Sequence, residues 1–455
     1  MTNSSPWIHQ LDKTRERKSL ESDIETDTAI IGGGIAGVAT AFFLLKTTDE
    51  KIIIIEADKL AHGATGHNAG YMATYFERPF REIVETYGLE MACQGQRDVD
   101  LSWELAEEMY TEAGLDLPYS RFTSYAGLST KEQVLGHLEN DFLRRKGGLQ
   151  TRAVEIWEDA EYLHEIPEKY HKLFILTTRE DIALKLETFD KQYTAVLSTQ
   201  KGVMNSALFS QEVVSYLLEK YKDRFTLYEH TRVKKVVLKE DSALLDAYKH
   251  TVKADKVVLC TNGFENFDIL DPQGLSINTR FHHNINGVIA FMAGYLEAHT
   301  GVPSAISYFQ KNDIGLTDNP GEGYFYVTRR PYEYEKNSKH NLICIGGPDF
   351  ALEERAKYSR DSEFSEKAKE QITSFVDNTY DKKYSDYTFL WHGVMGYTKN
   401  LLRMVGPDPH HLHLYYNLGC NGLGLLPSIF GGERVARQIG GEKFPKSIFD
   451  IPEEE

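Results

Sequence analysis

The feature that most constrains this chain is a run of residues near its N-terminus that reads as strand, glycine turn, helix and second strand. The segment Asp27–Ile31 is short and rich in β-branched residues, as expected for a buried parallel strand. It leads into Gly32, Gly34 and Gly37 in a GxGxxG spacing, followed by apolar residues at helical spacing. Such glycines permit a tight turn, close approach of the backbone to a pyrophosphate, and close packing of helix on strand. The segment predicts a dinucleotide-binding βαβ unit with the phosphates at the helix N-terminus.

The second strand of this unit supplies the predicted sugar contact. Lys51–Ile55 ends at Glu56, whose carboxylate is expected to accept hydrogen bonds from ribose hydroxyls. The same charge would repel a 2′-phosphate, which disfavours NADP. The fingerprint alone leaves FAD and NAD open.

The uncharged stretch Thr28–Leu45 is long enough to be considered as a membrane-spanning helix. Adjacent glycines would weaken such a helix, and the βαβ template explains the same residues better. We therefore expect no membrane segment.

A second loop of small residues, HGATGHNAG at 62–70, follows the second strand. An NAD-binding domain does not need such a loop, whereas small residues let backbone amides and a hydroxyl approach a bulky polar group. The loop resembles the GASGRNGG pattern of the D-amino-acid oxidase superfamily of FAD-dependent oxidoreductases. Glycine oxidase, sarcosine oxidase and γ-glutamylputrescine oxidoreductase are members. The resemblance implies FAD and an oxidoreductase that acts on amines or amino acids.

The resemblance recurs in order along the chain, from about Pro6 to Glu442. It is carried by four further segments: Ser206–Val237, Lys253–Gly263, Trp391–Gly406 and Leu418–Gly441. The residues of Leu418–Gly441 also predict a structure independently of the resemblance. Glycines precede a predicted helix whose first turn tolerates Pro427. The N-terminus of that helix would stabilise the negative charge that builds up on a reduced flavin.

The resemblance implies an α/β fold in which a Rossmann-like FAD-binding domain is interleaved with an α+β substrate domain. Strand and helix patterns predict that the substrate domain is a mostly antiparallel β-sheet and place a helix at Lys131–Arg145. The expected FAD-binding domain comprises residues 24–117, 202–266 and 387–441, and the substrate domain 118–201 and 267–386, with an N-terminal extension at 1–23 and a C-terminal tail at 442–455. The residues expected to contact FAD are Gly32, Gly34, Ile35, Ala36, Gly37, Glu56, Ala57, Gly63, Ala64, Thr65, Gly66, His67, Asn68, Ala69, Gly70, Val233, Thr261, Asn262, Gly263, Gly422, Leu423, Gly424 and Leu425.

The charge balance disfavours some classes of partner. With 51 Lys and Arg against 68 Asp and Glu, the formal charge is −17. This charge repels phosphate backbones and anionic lipids, so we expect no nucleic-acid or membrane partner, and an RNA-modifying role is disfavoured. The four cysteines form no CxxC pair and the N-terminus shows no secretory signal. We expect a cytoplasmic protein with reduced thiols.

The resemblance implies hydride transfer to the flavin from a carbon bonded to nitrogen, followed by hydrolysis of the imine. The protein then has to hold the C–H bond over the ring and keep the amine unprotonated in a partly desolvated aromatic pocket. No second GxGxxG unit is visible. We therefore expect dioxygen or a separate electron carrier to reoxidise the flavin, and oxidase and dehydrogenase both stay open.

Two positions bear on the substrate. Met395 stands where glycine oxidase and its relatives carry an arginine that binds the substrate carboxylate. Asn400 replaces an aspartate of the family, as in members similar to γ-glutamylputrescine oxidoreductase. These differences favour a small-molecule amine or an N-substituted amino acid over a free α-amino acid. An amino-acid oxidase or dehydrogenase is the alternative, since Arg329 could restore a carboxylate site.

Four residues are candidates for the substrate pocket. Tyr324 and Tyr326 alternate along a predicted strand, so they would form one wall of an amine-binding cage or pack in a sheet core. His392, near the predicted flavin edge, would orient the substrate or hydrogen-bond to backbone. Met395 completes the set.

Two groups of histidines raise further hypotheses. His67 matches the position where members similar to dimethylglycine oxidase carry a flavin-linked histidine, so a covalent bond is an alternative to the non-covalent FAD that we expect. His410, His411 and His413 are close in sequence but lack the surrounding Cys, Asp and Glu residues of a metal site. We expect no metal there.

Two other classes of function stay open at this point. An NAD-dependent dehydrogenase with the same fingerprint would be colourless and would have no use for the loop at 62–70. A non-catalytic FAD-binding scaffold or subunit is suggested by the missing carboxylate-binding arginine.

Overall fold

The computed structural model describes residues 3–264, 267–277, 285–298, 302–311, 324–336, 338–352, 358–380 and 386–452. Its helices are α1 (Pro6–His9), α2 (Ile35–Thr47), α3 (Phe80–Tyr87), α4 (Leu89–Asp100), α5 (Ser102–Glu112), α6 (Lys131–Lys146), α7 (Arg179–Leu186), α8 (Ser206–Lys220), α9 (Glu366–Tyr380) and α10 (Leu425–Ile439). Its strands are β1 (Ile24–Ile31), β2 (Ile52–Ile55), β3 (Tyr71–Met72), β4 (Ser120–Leu128), β5 (Ala153–Trp157), β6 (Phe174–Thr177), β7 (Ala195–Val203), β8 (Phe225–Tyr228), β9 (Val233–Leu238), β10 (Ala243–Ala247), β11 (His250–Leu259), β12 (Asp268–Leu270), β13 (Ile285–Ala298), β14 (Ser304–Phe309), β15 (Tyr324–Glu333), β16 (Lys339–Leu352), β17 (Phe389–Thr398), β18 (Met404–Pro407) and β19 (Leu414–Leu418).

The first sheet is built around the predicted βαβ unit. In the described part of the chain it has nine strands, in the order β12-β9-β10-β11-β1-β2-β8, with β19 beside β11 and β18 beside β19. Strand β1 pairs in parallel with both β2 and β11. Ile52 and Ile54 contribute to the core on one face, and Ile53 and Ile55 to the core on the other. Burial of both faces explains why β2 is a continuous apolar run.

Helix α2 packs on this sheet and against α8 and α10. The contact with α10 is close because Gly432 faces the α2 backbone, where an ideal Cβ would lie 2.6 Å from the Thr40 nitrogen. Helix α10 begins at Leu425, two residues before Pro427, and ends before Gly440, in agreement with the sequence pattern.

The second sheet has ten strands among the described residues, in the order β17-β13-β16-β15-β14-β4-β7-β5-β6, with β3 beside β7. Most neighbours are antiparallel, whereas β14 and β4, and β5 and β6, are parallel. Helix α9 packs on β13 and β16. The predicted fold class, a Rossmann-like sheet with a mostly antiparallel second sheet, is confirmed.

Two strands cross from the expected FAD-binding segments into the second sheet. Strand β17 pairs with β13 along its whole length, from Ile285 opposite Thr398 to Gly294 opposite Phe389. The sequence predicts β17 within the FAD-binding segment 387–441, whereas its hydrogen bonds are to β13 of the second sheet. Strand β3 likewise pairs with β7. These crossings bring the loop at 62–70 and β17 together between the two sheets.

The N-terminal segment is packed into the core. Trp7 is fully buried and lies edge-on to Trp391, with ring centroids 6.4 Å apart, and the Ser4 nitrogen donates to the Leu390 carbonyl. At the other end, residues 453–455 of the expected acidic tail lie outside the described residues.

The described helices include none with the length and apolar character needed to cross a bilayer. The uncharged stretch Thr28–Leu45 is divided between β1 and α2.

Candidate functional site

The N-terminus of α2 lies at one end of a large cavity between the two sheets. Gly34 is the N-cap residue of α2, and Gly34, Ile35 and Ala36 all line the cavity. The Ile35 nitrogen donates to Thr65 Oγ1 at 2.9 Å, which ties the loop at 62–70 to this helix end. An ideal Cβ on Gly34 would also lie 2.9 Å from Thr65 Oγ1. The glycine therefore leaves room at a helix N-terminus, whose positive potential suits a pyrophosphate.

Glu56 follows β2 and lines the same cavity. Its Oε2 accepts a hydrogen bond from the Gly33 nitrogen at 2.8 Å, and its Oε1 accepts one from the Asp58 nitrogen at 2.9 Å. Burial raises the pKa of this carboxyl above its ordinary value, while the two backbone donors oppose that shift. Each oxygen keeps a free lone pair for a hydroxyl donor. Ala57 and Val233 line the cavity beside it, so this end fits the sugar and base of a nucleotide.

The loop at 62–70 is held in shape by its own side chains. Ala64–Gly66 forms a 3-10 turn, and Asn68 Nδ2 donates to two carbonyls of that turn at 2.9 and 2.7 Å. The Asn68 Oδ1 accepts from the Gly70 nitrogen at 2.6 Å. The loop therefore presents a preformed backbone surface to the cavity.

His67 lines the cavity as a neutral imidazole. Its Nδ1 lies 3.0 Å from the Gly63 carbonyl and donates to it, so Nε2 is the ring acceptor. Burial lowers the pKa of His67 to about 4. Gly393 of β17 passes so close that an ideal Cβ there would be 2.2 Å from the His67 carbonyl oxygen. Gly393 therefore leaves no room for a larger side chain at this point of β17.

The loop before α10 forms another wall. Gly422 has φ +79° and Asn421 has φ +46°, a left-handed backbone that favours these residues. The Asn421 Oδ1 accepts from the Thr398 nitrogen, and the Asn262 Oδ1 accepts from the Cys420 nitrogen, both at 2.8 Å. Through these bonds β17 and the turn after β11 fix the loop. The cavity is lined here by Gly422, Leu423, Gly424 and Leu425.

All but three of the residues predicted to contact FAD line this cavity. The three exceptions are Gly37, Gly66 and Gly263, which pack behind it. An ideal Cβ on Gly37 would lie 2.0 Å from the Gly32 carbonyl oxygen, and overlaps below 3 Å also occur at the other two. These glycines serve the packing of the walls and do not face the cavity.

The other end of the cavity is lined by tyrosines and carboxylates. Tyr324 and Tyr326 of β15 both face it, with ring centroids 6.2 Å apart, and the Tyr71 ring is 5.7 Å from that of Tyr326. The Tyr324 hydroxyl donates to Glu77 Oε1 at 3.0 Å. Asp349 of β16 lines the same end.

Met395 of β17 also lines the cavity, whereas His392 does not. The His392 side chain is buried, with Nε2 3.0 Å from the Ser362 carbonyl and Nδ1 3.2 Å from the Tyr358 hydroxyl. Burial lowers its pKa. His392 therefore hydrogen-bonds to backbone, the second of the two roles considered from the sequence, and does not face the cavity.

Arg329 does not provide the carboxylate site considered from the sequence. Its guanidinium forms a two-pronged ion pair with Glu187 at 2.7 and 3.1 Å, and it does not line the cavity. Arg403 does line it, but Nε donates to Asn417 Oδ1 at 2.7 Å and Nη2 to the Asn417 carbonyl at 2.9 Å. These hydrogen bonds hold the Arg403 guanidinium on Asn417, so it is not positioned to bind a substrate carboxylate.

Sequence reasoning missed Tyr71, Glu77 and Asp349. Tyr71 and Glu77 follow the loop at 62–70 in a stretch with little hydrophobic periodicity. Both contact Tyr324, which is 253 and 247 residues away in sequence, respectively. No local pattern signals such a contact.

Of the three histidines at 410, 411 and 413, His413 contacts surface backbone through both ring nitrogens. The His413 Nδ1 lies 2.7 Å from the Asp255 carbonyl and its Nε2 lies 2.9 Å from the Glu240 carbonyl. In the ranges that the structure describes, no group of three or more His, Cys, Asp or Glu residues is placed to hold a metal ion.

Comparison with known proteins settles the family. The sequence model described as "DAO: FAD dependent oxidoreductase" matches residues 27–438, most of the chain. The chain belongs to this family. Its cofactor is therefore FAD, as predicted, and the NAD alternative is dropped.

Two curated relatives align over parts of the chain. A putative Rieske 2Fe-2S iron-sulfur protein of Bacillus subtilis (strain 168) is 34% identical over 74 residues, 16% of this chain and 14% of the relative. The γ-glutamylputrescine oxidoreductase of Escherichia coli (strain K12) is 21% identical over 152 residues, 33% of this chain and 35% of the relative. The alignments thus span well under two thirds of either relative.

Among solved structures, glycine oxidase from Geobacillus kaustophilus superposes with a TM-score of 0.65 at 16% identity. The superposition covers 95% of this chain and 99% of the glycine oxidase chain. It shows that the fold is shared over nearly the whole length.

Proposed function

We propose that this chain oxidises a carbon–nitrogen bond of a small-molecule amine or N-substituted amino acid. The observation that carries the proposal is one cavity that joins a dinucleotide cradle to a tyrosine-lined wall. Met395 stands in that cavity where the family's carboxylate-binding arginine would be. Two similar proteins support an amino compound as substrate by their names. γ-Glutamylputrescine oxidoreductase aligns with part of the sequence, and glycine oxidase superposes on the fold.

The residues on the nucleotide side would hold FAD. The N-terminus of α2 would face the pyrophosphate and Glu56 the ribose, as their positions in the cavity suggest. The N-terminus of α10 would lie beside the flavin ring and stabilise negative charge there. When bound, FAD supplies a two-electron acceptor for hydride.

The residues on the tyrosine side would prepare the substrate. The rings of Tyr71, Tyr324 and Tyr326 exclude water, and a desolvated site lowers the pKa of an amine so that its lone pair is free. The substrate carbon then loses a hydride, its nitrogen loses a proton to solvent, and the C–N bond becomes C=N. Water adds to this bond and releases a carbonyl compound and an amine. We propose that dioxygen or a separate carrier takes the two electrons.

The test is anaerobic mixing of the purified FAD-loaded protein with a panel of primary amines, N-alkyl amino acids and free α-amino acids. We expect amines or N-substituted compounds to remove the visible absorbance of the oxidised flavin, and free α-amino acids to do so at least about ten-fold more slowly. Preferential reduction by free α-amino acids would favour the amino-acid oxidase alternative. A flavin that no compound reduces would favour the scaffold alternative. Admitting air afterwards separates an oxidase from a dehydrogenase.

We expect the flavin to be bound without a covalent link. His67 Nδ1 is committed to the Gly63 carbonyl, and Gly66 stands where the histidine-linked relatives carry tryptophan. Acid precipitation of the native flavoprotein should therefore leave the yellow colour in the supernatant. Colour that stays with the wild-type pellet, but not with that of His67→Ala, would show a histidyl link instead.

A further inference from the structure

Glu77 is a carboxylate that lines the cavity. It lies in the segment between β3 and α3 and is partly buried. It also lies against the loop before α10, because an ideal Cβ on Gly422 would be 3.0 Å from Glu77 Cγ. Glu77 therefore sits where the tyrosine wall meets the segment expected beside the flavin.

The protein only partly compensates the charge of Glu77. Among the described residues, the Tyr324 hydroxyl is its hydrogen-bond donor. Lys201 is a positive charge that lowers the pKa of Glu77, but its Nζ donates to Ser307 Oγ at 2.9 Å and lies 4.9 Å from the centroid of the Tyr71 ring. Within the described ranges, no Lys, Arg or His nitrogen comes within 4 Å of the Glu77 oxygens. An enclosed carboxylate of this kind is stabilised by a cation that enters the cavity.

The walls around Glu77 suit a cation. Tyr71 and Tyr324 hydroxyls are 3.3 Å apart, and the Tyr326 ring stands edge-on to that of Tyr71. Tyrosine faces attract ammonium groups, and desolvation strengthens the attraction. Asp349 adds a second carboxylate to the same end of the cavity and raises the pKa of Glu77.

We propose that Glu77 and the cage of Tyr71, Tyr324 and Tyr326 bind a cationic ammonium group of the substrate. This inference rests on the proposed amine oxidation and narrows its substrate class. The nitrogen that is oxidised has to be uncharged when the hydride leaves, whereas an ionised carboxylate favours a charged nitrogen. The two nitrogens are therefore different atoms. The substrate is a diamine or an amino compound whose second nitrogen stays protonated.

The preference for such a substrate depends on pH. Burial and Asp349 raise the pKa of Glu77 to about 7, while Tyr324 and Lys201 oppose the shift. Lys201, itself enclosed, has a pKa lowered to about 8, and the tyrosines at 71, 75 and 324 have raised pKa values and stay neutral. Below about pH 7 Glu77 takes up a proton and loses its attraction for a cation. The ratio of diamine to monoamine affinity should therefore fall between pH 8 and pH 6.

The experiment compares Glu77→Gln with Glu85→Gln, an exposed carboxylate on α3. FAD-loaded protein is first reduced with dithionite so that binding occurs without turnover. Calorimetry then measures the affinity of α,ω-diamines of three to six carbons and of monoamines of equal length. We expect wild type and Glu85→Gln to bind the best diamine at least about ten-fold more tightly than its monoamine at pH 8, the scale of a charge-assisted hydrogen bond. Glu77→Gln should reduce that ratio to less than about three-fold.

The outcomes separate this inference from the proposed function. A wild-type ratio near one, or an unchanged ratio in Glu77→Gln, overturns the cation site even when amines reduce the oxidised flavin. Selective diamine binding that never leads to flavin reduction supports the cation site and overturns amine oxidation. If Glu77→Gln does not retain FAD, Tyr326→Leu provides the second variant. It removes one wall and should weaken diamine binding several-fold more than monoamine binding, and an equal loss for both would contradict the cage.

Discussion

Gly37→Ala is expected to give a protein that loses FAD on gel filtration and unfolds at a clearly lower temperature than wild type. The added methyl would lie 2.0 Å from the Gly32 carbonyl oxygen and 3.3 Å from Ile30 Cγ2. The methyl can be accommodated only if the glycine loop at 32–34 or the first helical turn of α2 moves. Either movement disturbs the Gly32–Gly34 backbone at the nucleotide end of the cavity. We expect a loss of roughly 3 kcal/mol in the free energy of unfolding, at the upper end for overpacking.

The matched control is the same substitution at Gly136, in the middle of α6. An ideal Cβ there meets only the Arg81 Nη1 atom, at 3.5 Å. Alanine should therefore stabilise the helix by about 0.5–1 kcal/mol without changing FAD content. Thermal denaturation with and without added FAD measures both effects. Equal melting temperatures for the two variants, with FAD retained in both, would contradict the role of Gly37.

The nucleotide half of the site could be predicted from the sequence because it depends on backbone. A pyrophosphate needs glycines next to a helix N-terminus, and such a turn has a fixed local spacing that Gly32, Gly34 and Gly37 display. The family resemblance then extended the prediction to distant segments such as the loop before α10. The structure brings nearly all of these residues to one cavity.

The substrate half could be predicted only in part, because it depends on contacts between distant strands. Tyr324 and Tyr326 were found through their alternation, but Glu77 has no motif and joins them by folding alone. The sequence leaves two roles open for His392 for a related reason. His392 lies three residues from Met395 in β17, yet its ring packs 5.5 Å from that of Phe291 and bonds to the segment before α9. A strand places successive side chains on opposite faces, and proximity in sequence does not decide which one enters a cavity.

Arg330→Met is expected to release the loop at 62–70 and with it the flavin. Arg330 is buried, and its guanidinium donates to the carbonyls of Ala69 (2.8 Å), Gly70 and Met204 (3.0 Å). It also lies 4.6 Å from the centroid of the Trp7 ring. Its acceptors are neutral, and burial lowers the pKa of Arg330 to about 10. Among the residues that the structure describes, Arg330 has no ion-pair partner, so hydrogen bonds to the loop at 62–70, Met204 and Thr328 keep the side chain in the interior.

Methionine at position 330 fills a similar volume but removes the guanidinium donors. Within the described part of the chain, only the Gly70 carbonyl of the three keeps a backbone donor, the Met204 nitrogen at 3.0 Å. Each unsatisfied buried carbonyl costs about 1–3 kcal/mol, so the variant should lose on the order of 3–5 kcal/mol of stability. Flavin retention should fall in parallel, because Ala69 and Gly70 line the cavity. Thermal denaturation and the ratio of flavin to protein absorbance after gel filtration measure the two effects.

The neighbouring Arg329→Met is the matched control, since it removes the same side chain from the exposed ion pair with Glu187. Exposed pairs contribute about 0–1 kcal/mol, so this variant should keep its flavin and nearly all of its stability. If Arg330→Met does not fold, Arg330→Lys tests the same point. A lysine keeps the charge but cannot reach the carbonyls of both Met204 and the loop at 62–70 with one nitrogen, so it should retain the fold and bind FAD more weakly. Arg330 variants that behave like Arg329→Met would show that the loop at 62–70 holds its shape without Arg330.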